Sequence, residues 1–239
     1  MKWDIDINCD LGEGAGNDAK ILPLIDSCSI ACGGHYGTNE TIQTTVNLAK
    51  KHTVKIGAHP SFPDPTNFGR VVIQMEAEAL KDALVEQVMR LKNIALESGI
   101  VMSHVKLHGA LYNLAAKDAA IANIVVKALL NVGTDFAIYT PTASQLYLAA
   151  QQHYTIIPEV FIDRTYQKNG SLTPRSTKGA LIEDAQQAWT QIERIYSTHT
   201  VSTISNEIIP INGDTYCIHG DSDHCLNLLE YINNKLNRV

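Results

Sequence analysis

Apolar and polar positions alternate along short stretches of this chain and recur every three or four residues along longer ones. The first short stretch is the clearest. Asp4, Asp6, Asn8 and Asp10 share one face, and Ile5, Ile7 and Cys9 share the other. Period two is the mark of a strand with unlike faces. The strand is expected over 3–9 and enters a glycine-bounded loop, Leu11-Gly12-Glu13-Gly14. Its polar face either meets water or lines a cavity. Later strands favour the cavity because they repeat the pattern. Lys55, Gly57 and His59 oppose Val54, Ile56 and Ala58, while His104, Lys106 and His108 oppose Val105 and Leu107.

Taken in order, strands and helices alternate. A short helix near 17–26 precedes a strand over 27–32, which ends in Gly33-Gly34-His35. Thr38 or Asn39 then caps a helix to about 52. A strand over 54–58 ends in His59-Pro60, and the aperiodic loop 60–75 follows, long for such a connection. In the helix over 76–98, Leu80, Leu84, Val88, Leu91 and Ala95 form one apolar stripe, with Gly99 just beyond its end. A strand over 101–108 leads to Gly109. Asp118 caps a helix carrying Ile121, Val125, Ala128 and Val132, closed by Gly133. A strand at 136–139, a helix at 142–152 and a strand at 155–162 follow. Loop 163–180 precedes a helix over 183–197. Segment 200–212 fits short strands or loop. The last strand is 215–219, and the last helix starts at Asp223, with Cys225, Leu228, Leu229, Ile232 and Leu236 as its stripe.

About seven strand–helix units imply a parallel sheet with right-handed crossovers. An open sheet covered by helices on both sides needs two apolar faces. One polar and one apolar face suits a closed ring with helices outside. The expected fold is therefore α/β: a seven-stranded (β/α) barrel forming one domain over 1–239.

Composition narrows the picture. The 239 residues, 45% of them hydrophobic, suit one α/β domain with a substantial core. The net charge of −6 and the lack of a basic cluster argue against nucleic acid. No apolar run is long enough for a membrane span, and no signal-peptide pattern is read. The five cysteines lack CxxC spacing. They read as buried free thiols of a reducing compartment, so cytoplasm is expected.

Function in such barrels gathers at the C-terminal ends of the strands. Those ends hold Asp10 and Glu13, His35, His59, Lys106 and His108, Asp163 and Arg164, then His219 and Asp221. A single histidine there is more often structural; four placed alike are harder to dismiss.

Several stretches resemble the LamB/YcsF family. They are Asn8-Cys9-Asp10-Leu11-Gly12-Glu13, Ile30-Ala31-Cys32-Gly33 with His35, and Gly57-Ala58-His59-Pro60-Ser61-Phe62-Pro63-Asp64 with Asn67-Phe68-Gly69-Arg70. Val105-Lys106-Leu107-His108-Gly109-Ala110-Leu111-Tyr112-Asn113, Glu159-Val160-Phe161 with Asp163-Arg164, Pro174-Arg175-Ser176 and Ile218-His219-Gly220-Asp221 complete the set. The resemblance implies a seven-stranded barrel of the glycoside hydrolase/deacetylase kind. It also implies the A component of the bacterial ATP-dependent 5-oxoprolinase, working with partner subunits B and C. The implied reaction converts 5-oxoproline, ATP and water into glutamate, ADP and phosphate. Two positions depart from the family pattern: Gly34, where an aromatic commonly stands, and Leu107, where a proline does. Leu107 is expected on the helix side. Gly34 leaves room beside His35 and puts the shape of that wall in question.

A lactam is a poor electrophile, and ATP can activate it by phosphorylating the amide oxygen. No GxxxxGK[ST] loop is present, so ATP is expected mainly on a partner, with the barrel opening the ring. Ring opening needs a base, a donor for the departing nitrogen and cations for anionic groups. Asp10 and Glu13 are the candidate bases, His59 and His108 the proton shuttles, and Lys106 a catalytic cation. Asn8, His35, Arg70, Asp163, Arg164, Arg175, His219 and Asp221 are candidate substrate-binding residues, with Lys106, Arg164 and Arg175 suited to phosphate or carboxylate. The plainer reading pairs Arg164 with Asp163 or a neighbour and leaves Arg70 solvated. A divalent metal is left open, with Asp10, His35 and His59 as ligands by analogy to related deacetylases. The alternatives are a metal-dependent amide or lactam hydrolase acting alone and a non-catalytic small-acid binding subunit. The cluster of titratable groups argues against the second.

Overall fold

The computed structural model describes residues 3–238. Seven of its strands are parallel: β1 (Asp6–Leu11), β2 (Ser27–Ala31), β3 (Lys55–His59), β4 (Met102–Lys106), β5 (Ala137–Thr140), β6 (Ile156–Phe161) and β9 (Thr215–His219). They close into a barrel in the order β1-β2-β3-β4-β5-β6-β9. The intervening strands β7 (Thr200–Ser202) and β8 (Ile208–Pro210) pair antiparallel outside the barrel. Segment 200–212 is thus a small hairpin.

The outer ring contains α1 (Asp18–Ile21), α2 (Asn39–His52), α3 (Ala77–Glu97), α4 (Gly109–Lys117), α5 (Ala119–Val132), α6 (Gln145–Ala150), α7 (Ala185–Thr198) and α8 (Cys225–Lys235). Thr38 caps α2 and Asp118 caps α5 through side-chain oxygens that accept from first-turn N–H groups. The α3 stripe of Leu80, Leu84, Val88, Leu91 and Ala95 is fully buried, each large side chain contributing roughly 1.5–3 kcal/mol of burial. No helix among the described residues is long and apolar enough to cross a membrane.

Several boundaries differ from the sequence reading. β1 begins at Asp6 and runs to Leu11, so Asp10 lies within the strand instead of beyond it. The helix expected at 17–26 breaks at Leu22, where Pro23 turns the chain into a 3-10 segment over Leu22–Leu24. The strand expected to reach His108 ends at Lys106, and α4 follows where no separate helix was expected before Asp118. The last helix begins at Cys225, after a turn.

The barrel interior is polar, as the unlike strand faces required. Thr215 and Ser27 each donate to Asp6, at 2.7 and 2.8 Å, and Asn8 donates to Thr215 at 2.8 Å. His104 stacks on Tyr139 with ring centroids 3.9 Å apart and meets Ser29 at 3.1 Å. Burial pushes its pKa down to about 3, so it is neutral. Gly57 makes room for that ring, since a Cβ there would sit 2.3 Å from it. The five cysteines are free and buried, as read from the sequence.

Candidate active site

Strand register decides what meets at the mouth. Asp10 on β1 is paired with Ser29 of β2 and His219 of β9. Two residues further along each inward face, β3 delivers His59 and β4 delivers Lys106 to the same level. A cavity of about 350 Å³ opens there, lined by Asp10, His59, Arg70, Lys106, His108, Arg164, Arg175 and His219, with Tyr112, Phe161 and Leu172 as its apolar wall.

Lys106 forms the floor. Its Nζ donates to Asp10 Oδ1 at 2.8 Å, Asn8 Oδ1 at 3.2 Å and Cys217 Sγ at 2.9 Å. Glu159 Oε1 lies 2.8 Å away. That contact is an ion pair without hydrogen-bond geometry, and neither Glu159 oxygen has a hydrogen-bonding partner among the described residues. Burial disfavours the lysine charge, but Asp10, Cys217 and Glu159 outweigh it and raise the pKa well above the ordinary value. Asp10 mirrors this. Burial would raise its pKa, yet His59 and Lys106 hold it well below the usual carboxylate range. Both groups are therefore charged at neutral pH.

Beside the floor, Glu13, His35, His59 and His108 converge. Glu13 Oε1 lies 2.9 Å from His35 Nε2, 3.3 Å from His108 Nδ1 and 3.8 Å from His59 Nε2. His59 Nε2 is 3.3 Å from Asp10 Oδ2 and 2.9 Å from His108 Nδ1. Burial lowers the pKa of His35. Burial, then His59 and His35, lower that of His108. For His59, burial is outweighed by Asp10, and the pKa rises. Each residue can offer one ligand atom, and those atoms all lie within 4.8 Å of one another. The donor set is three imidazoles and a carboxylate, which suits a borderline divalent ion. Of the ligands expected from the sequence, His35 and His59 belong to this set. The Asp10 carboxylate pairs with Lys106, and the carboxylate within the set is that of Glu13.

Across the mouth, Asp163 and His219 form a dyad. His219 Nδ1 lies 2.9 Å from Asp163 Oδ2, and the His219 backbone N–H donates to the same oxygen at 3.0 Å. Burial would raise the Asp163 pKa, but His219 lowers it. Of the partners the plainer reading allowed Arg164, Asp163 is taken by His219. Arg164 instead donates from Nη2 to the Thr173 carbonyl at 2.5 Å, and its buried Nε has no partner among the described residues. Burial, then Arg175, lower its pKa, although a guanidinium stays charged. At the rim, Arg70 pairs with Asp221, and Arg175 Nη2 lies 3.9 Å from the same carboxylate. Asp221 lines an adjoining hollow with Arg175.

Two long loops shape the mouth. In loop 60–75, the Asp64 side chain accepts from Asn67 N–H at 3.1 Å. Phe68 is forced into the left-handed region at φ 54°, which turns its carbonyl onto His108 Nε2 at 2.9 Å. In loop 163–180, Gln191 of α7 donates to the Phe161 and Arg164 carbonyls at 2.7 and 2.9 Å. The room left by Gly34 is filled. A Cβ there would meet Gln87 Oε1 at 2.3 Å and Ser61 Oγ at 2.4 Å. Gln87 clamps the Ser61 backbone N–H and carbonyl, each at 3.0 Å, and Ser61 in turn holds His35.

Glu159, Cys217 and Tyr112 belong to the site without having been expected there. Glu159 carried a signal, a lone carboxylate two positions before Phe161 on the inward parity of β6. Cys217 read as an ordinary buried thiol.

A closed parallel barrel whose charged groups gather at the C-terminal ends of its strands defines a (β/α)-barrel protein with a concave polar site at its mouth. The chain belongs to the LamB/YcsF family, which it matches over residues 5–239. It is similar to a lactam utilization protein from Thermus thermophilus, at 30% identity over 98% of this chain and 97% of that one, with a TM-score of 0.89. It also shares its fold with a family 4 carbohydrate esterase from Streptomyces lividans, at 10% identity over 98% and 88% of the chains and a TM-score of 0.50.

Proposed function

We propose that this chain is the lactam-opening component of an ATP-dependent 5-oxoprolinase, its A component, working with subunits B and C. The observation that carries the reading is the charged Asp10–Lys106 pair on the cavity floor beneath three arginines. A lactam offers one N–H and one C=O side by side. A carboxylate and an ammonium 2.8 Å apart complement that pair, with Asp10 accepting from the ring nitrogen and Lys106 polarising the oxygen. Arg164 and Arg175 suit the carboxylate of 5-oxoproline or a transferred phosphoryl group.

Water activation falls to His219. Its Nδ1–H donates to Asp163, so Nε2 carries the lone pair, and the residue lines the cavity. Nε2 takes a proton from water and returns it to the departing nitrogen, the two-way role of an oriented imidazole. In this reading Asp163 and His219 are positioning and catalytic groups beyond simple binding. Asp10, kept ionised by its neighbours, is an acceptor and not the base.

ATP is assigned mainly to a partner, since the chain has no GxxxxGK[ST] phosphate loop. The test is glutamate release from 5-oxoproline by this chain alone, with subunits B and C, and with or without ATP. Turnover is expected only with all components. Absence of turnover from the complete mixture contradicts the proposal. A second reading, a metal-dependent lactam hydrolase acting alone, is favoured by the Glu13–His35–His59–His108 cluster. Turnover by this chain alone with added metal and no ATP would select it.

A further inference from the structure

We infer that Glu13, His35, His59 and His108 form a site for one imidazole-preferring divalent ion of the zinc or cobalt class. The orientation of the rings carries the argument. His59 Nδ1 lies 2.8 Å from the Lys106 carbonyl, and His108 Nε2 lies 2.9 Å from the Phe68 carbonyl. A carbonyl only accepts, so each of these nitrogens carries its ring's proton. Ser61 donates its hydroxyl to the Phe62 carbonyl at 2.7 Å. With its proton placed there, Ser61 Oγ accepts from His35 Nδ1, 3.1 Å away, in the tautomer that leaves His35 Nε2 free to bind.

With the three rings neutral, as a bound metal ion requires, each aims a lone pair at one point beside Glu13. His59 Nε2 and His108 Nδ1 face each other at 2.9 Å, and His35 Nε2 faces the Glu13 carboxylate at 2.9 Å. Lone pairs this close repel unless a proton or a metal cation sits between them. Protons on His59 Nε2 and His35 Nε2 would relieve these contacts one at a time. One divalent ion relieves all of them. Ligands on metal bonds of about 2.0–2.1 Å are roughly 3.3–3.4 Å apart in a tetrahedral shell. Four of the six pairs here span 2.9–3.8 Å, and all six lie within 4.8 Å. Fixing each histidine's far nitrogen on a protein acceptor is the arrangement that sets tautomer and ring direction in metal sites. All four residues are buried, and His59 and His108 line the cavity, so an ion here would have an open side facing it.

The inference concerns occupancy and stands apart from the proposed reaction. It is tested on the full, tag-free chain, stripped with chelator, dialysed and titrated with Co²⁺ and with Zn²⁺. Equilibrium dialysis should show one equivalent bound at micromolar or lower Kd. Co²⁺ should develop visible d–d absorption, and one equivalent of Zn²⁺ should raise the Tm. Glu13→Gln and His35→Gln should each weaken binding at least about tenfold. Ser61→Ala, which touches only the non-ligating nitrogen of His35, should weaken it by about 10–100-fold. His153→Gln, exposed on the surface, should leave it unchanged. The inference fails if wild type binds no stoichiometric metal, which would mean protons alone relieve the cluster. It fails also if binding survives in the folded site variants, which would place the ion on surface histidines. Should the variants not fold, the wild-type stoichiometry, spectrum and Tm decide the matter.

Discussion

Asp163 shows how one buried carboxylate sets a pH limit. Its folded pKa lies below the ordinary value because His219, and then Arg164, outweigh the cost of burial. A depressed carboxylate contributes stability above its unfolded pKa of about 4, lost as pH falls through the folded value. Asp163→Asn should therefore be less stable at neutral pH and show a flatter fall in stability below about pH 4. Denaturation of both proteins across the acid range checks this. Parallel curves would mean that the dyad contributes nothing. At this scale much of the site was legible from side-chain parity alone. Asn8, Asp10, His59 and Lys106 lie on polar faces of alternating strands, and all turn inward. What was not legible is contact made by backbone: the Phe68 and Lys106 carbonyls that orient His108 and His59 carry no residue-type signal. The Gly34 departure was visible, but not that Gln87, far along the chain, fills the space.

Among the elements, the barrel strands were readable because one face had to be apolar against helices and the other polar against the interior. α3 and α5 were readable from stripes and caps. α4 escaped because it starts directly after β4 and abuts α5, so neither a loop nor a break announces it. Its start is fixed by tertiary contact, with Ala110 N–H donating to the Gly69 carbonyl at 2.9 Å. Asp118 ends α4 and caps α5, accepting from Ala120 and Ile121 N–H at 2.7 and 3.2 Å. Asp118→Ala should cost about 1 kcal/mol, and Asp118→Asn little, because asparagine caps nearly as well. Urea denaturation of both variants measures it. Equal losses would show that charge, not capping, is what Asp118 supplies.

For the whole molecule, closure of seven strands brings residues from opposite ends of the chain together, Asp10 on β1 beside His219 on β9. The alternating faces made the barrel predictable, whereas the pairing of charges around its mouth depended on register. Lys106 shows the consequence, since it bridges carboxylates on β1 and β6 that only a closed ring places within reach. The central claim is that this mouth is where the lactam opens. Asp10→Asn keeps the size of the side chain and removes the charge facing Lys106 and His59. Because Glu159 still pairs with Lys106, the variant should fold, losing less than the roughly 3–5 kcal/mol of an orphaned buried charge. The most direct measurement is ATP-dependent glutamate release by the complex with subunits B and C, assembled with wild-type or Asp10→Asn chain. The account predicts at least about a hundredfold loss of turnover, the scale of removing one preorganised electrostatic partner, from a complex that still assembles. A stable Asp10→Asn complex turning over at a near wild-type rate would contradict it.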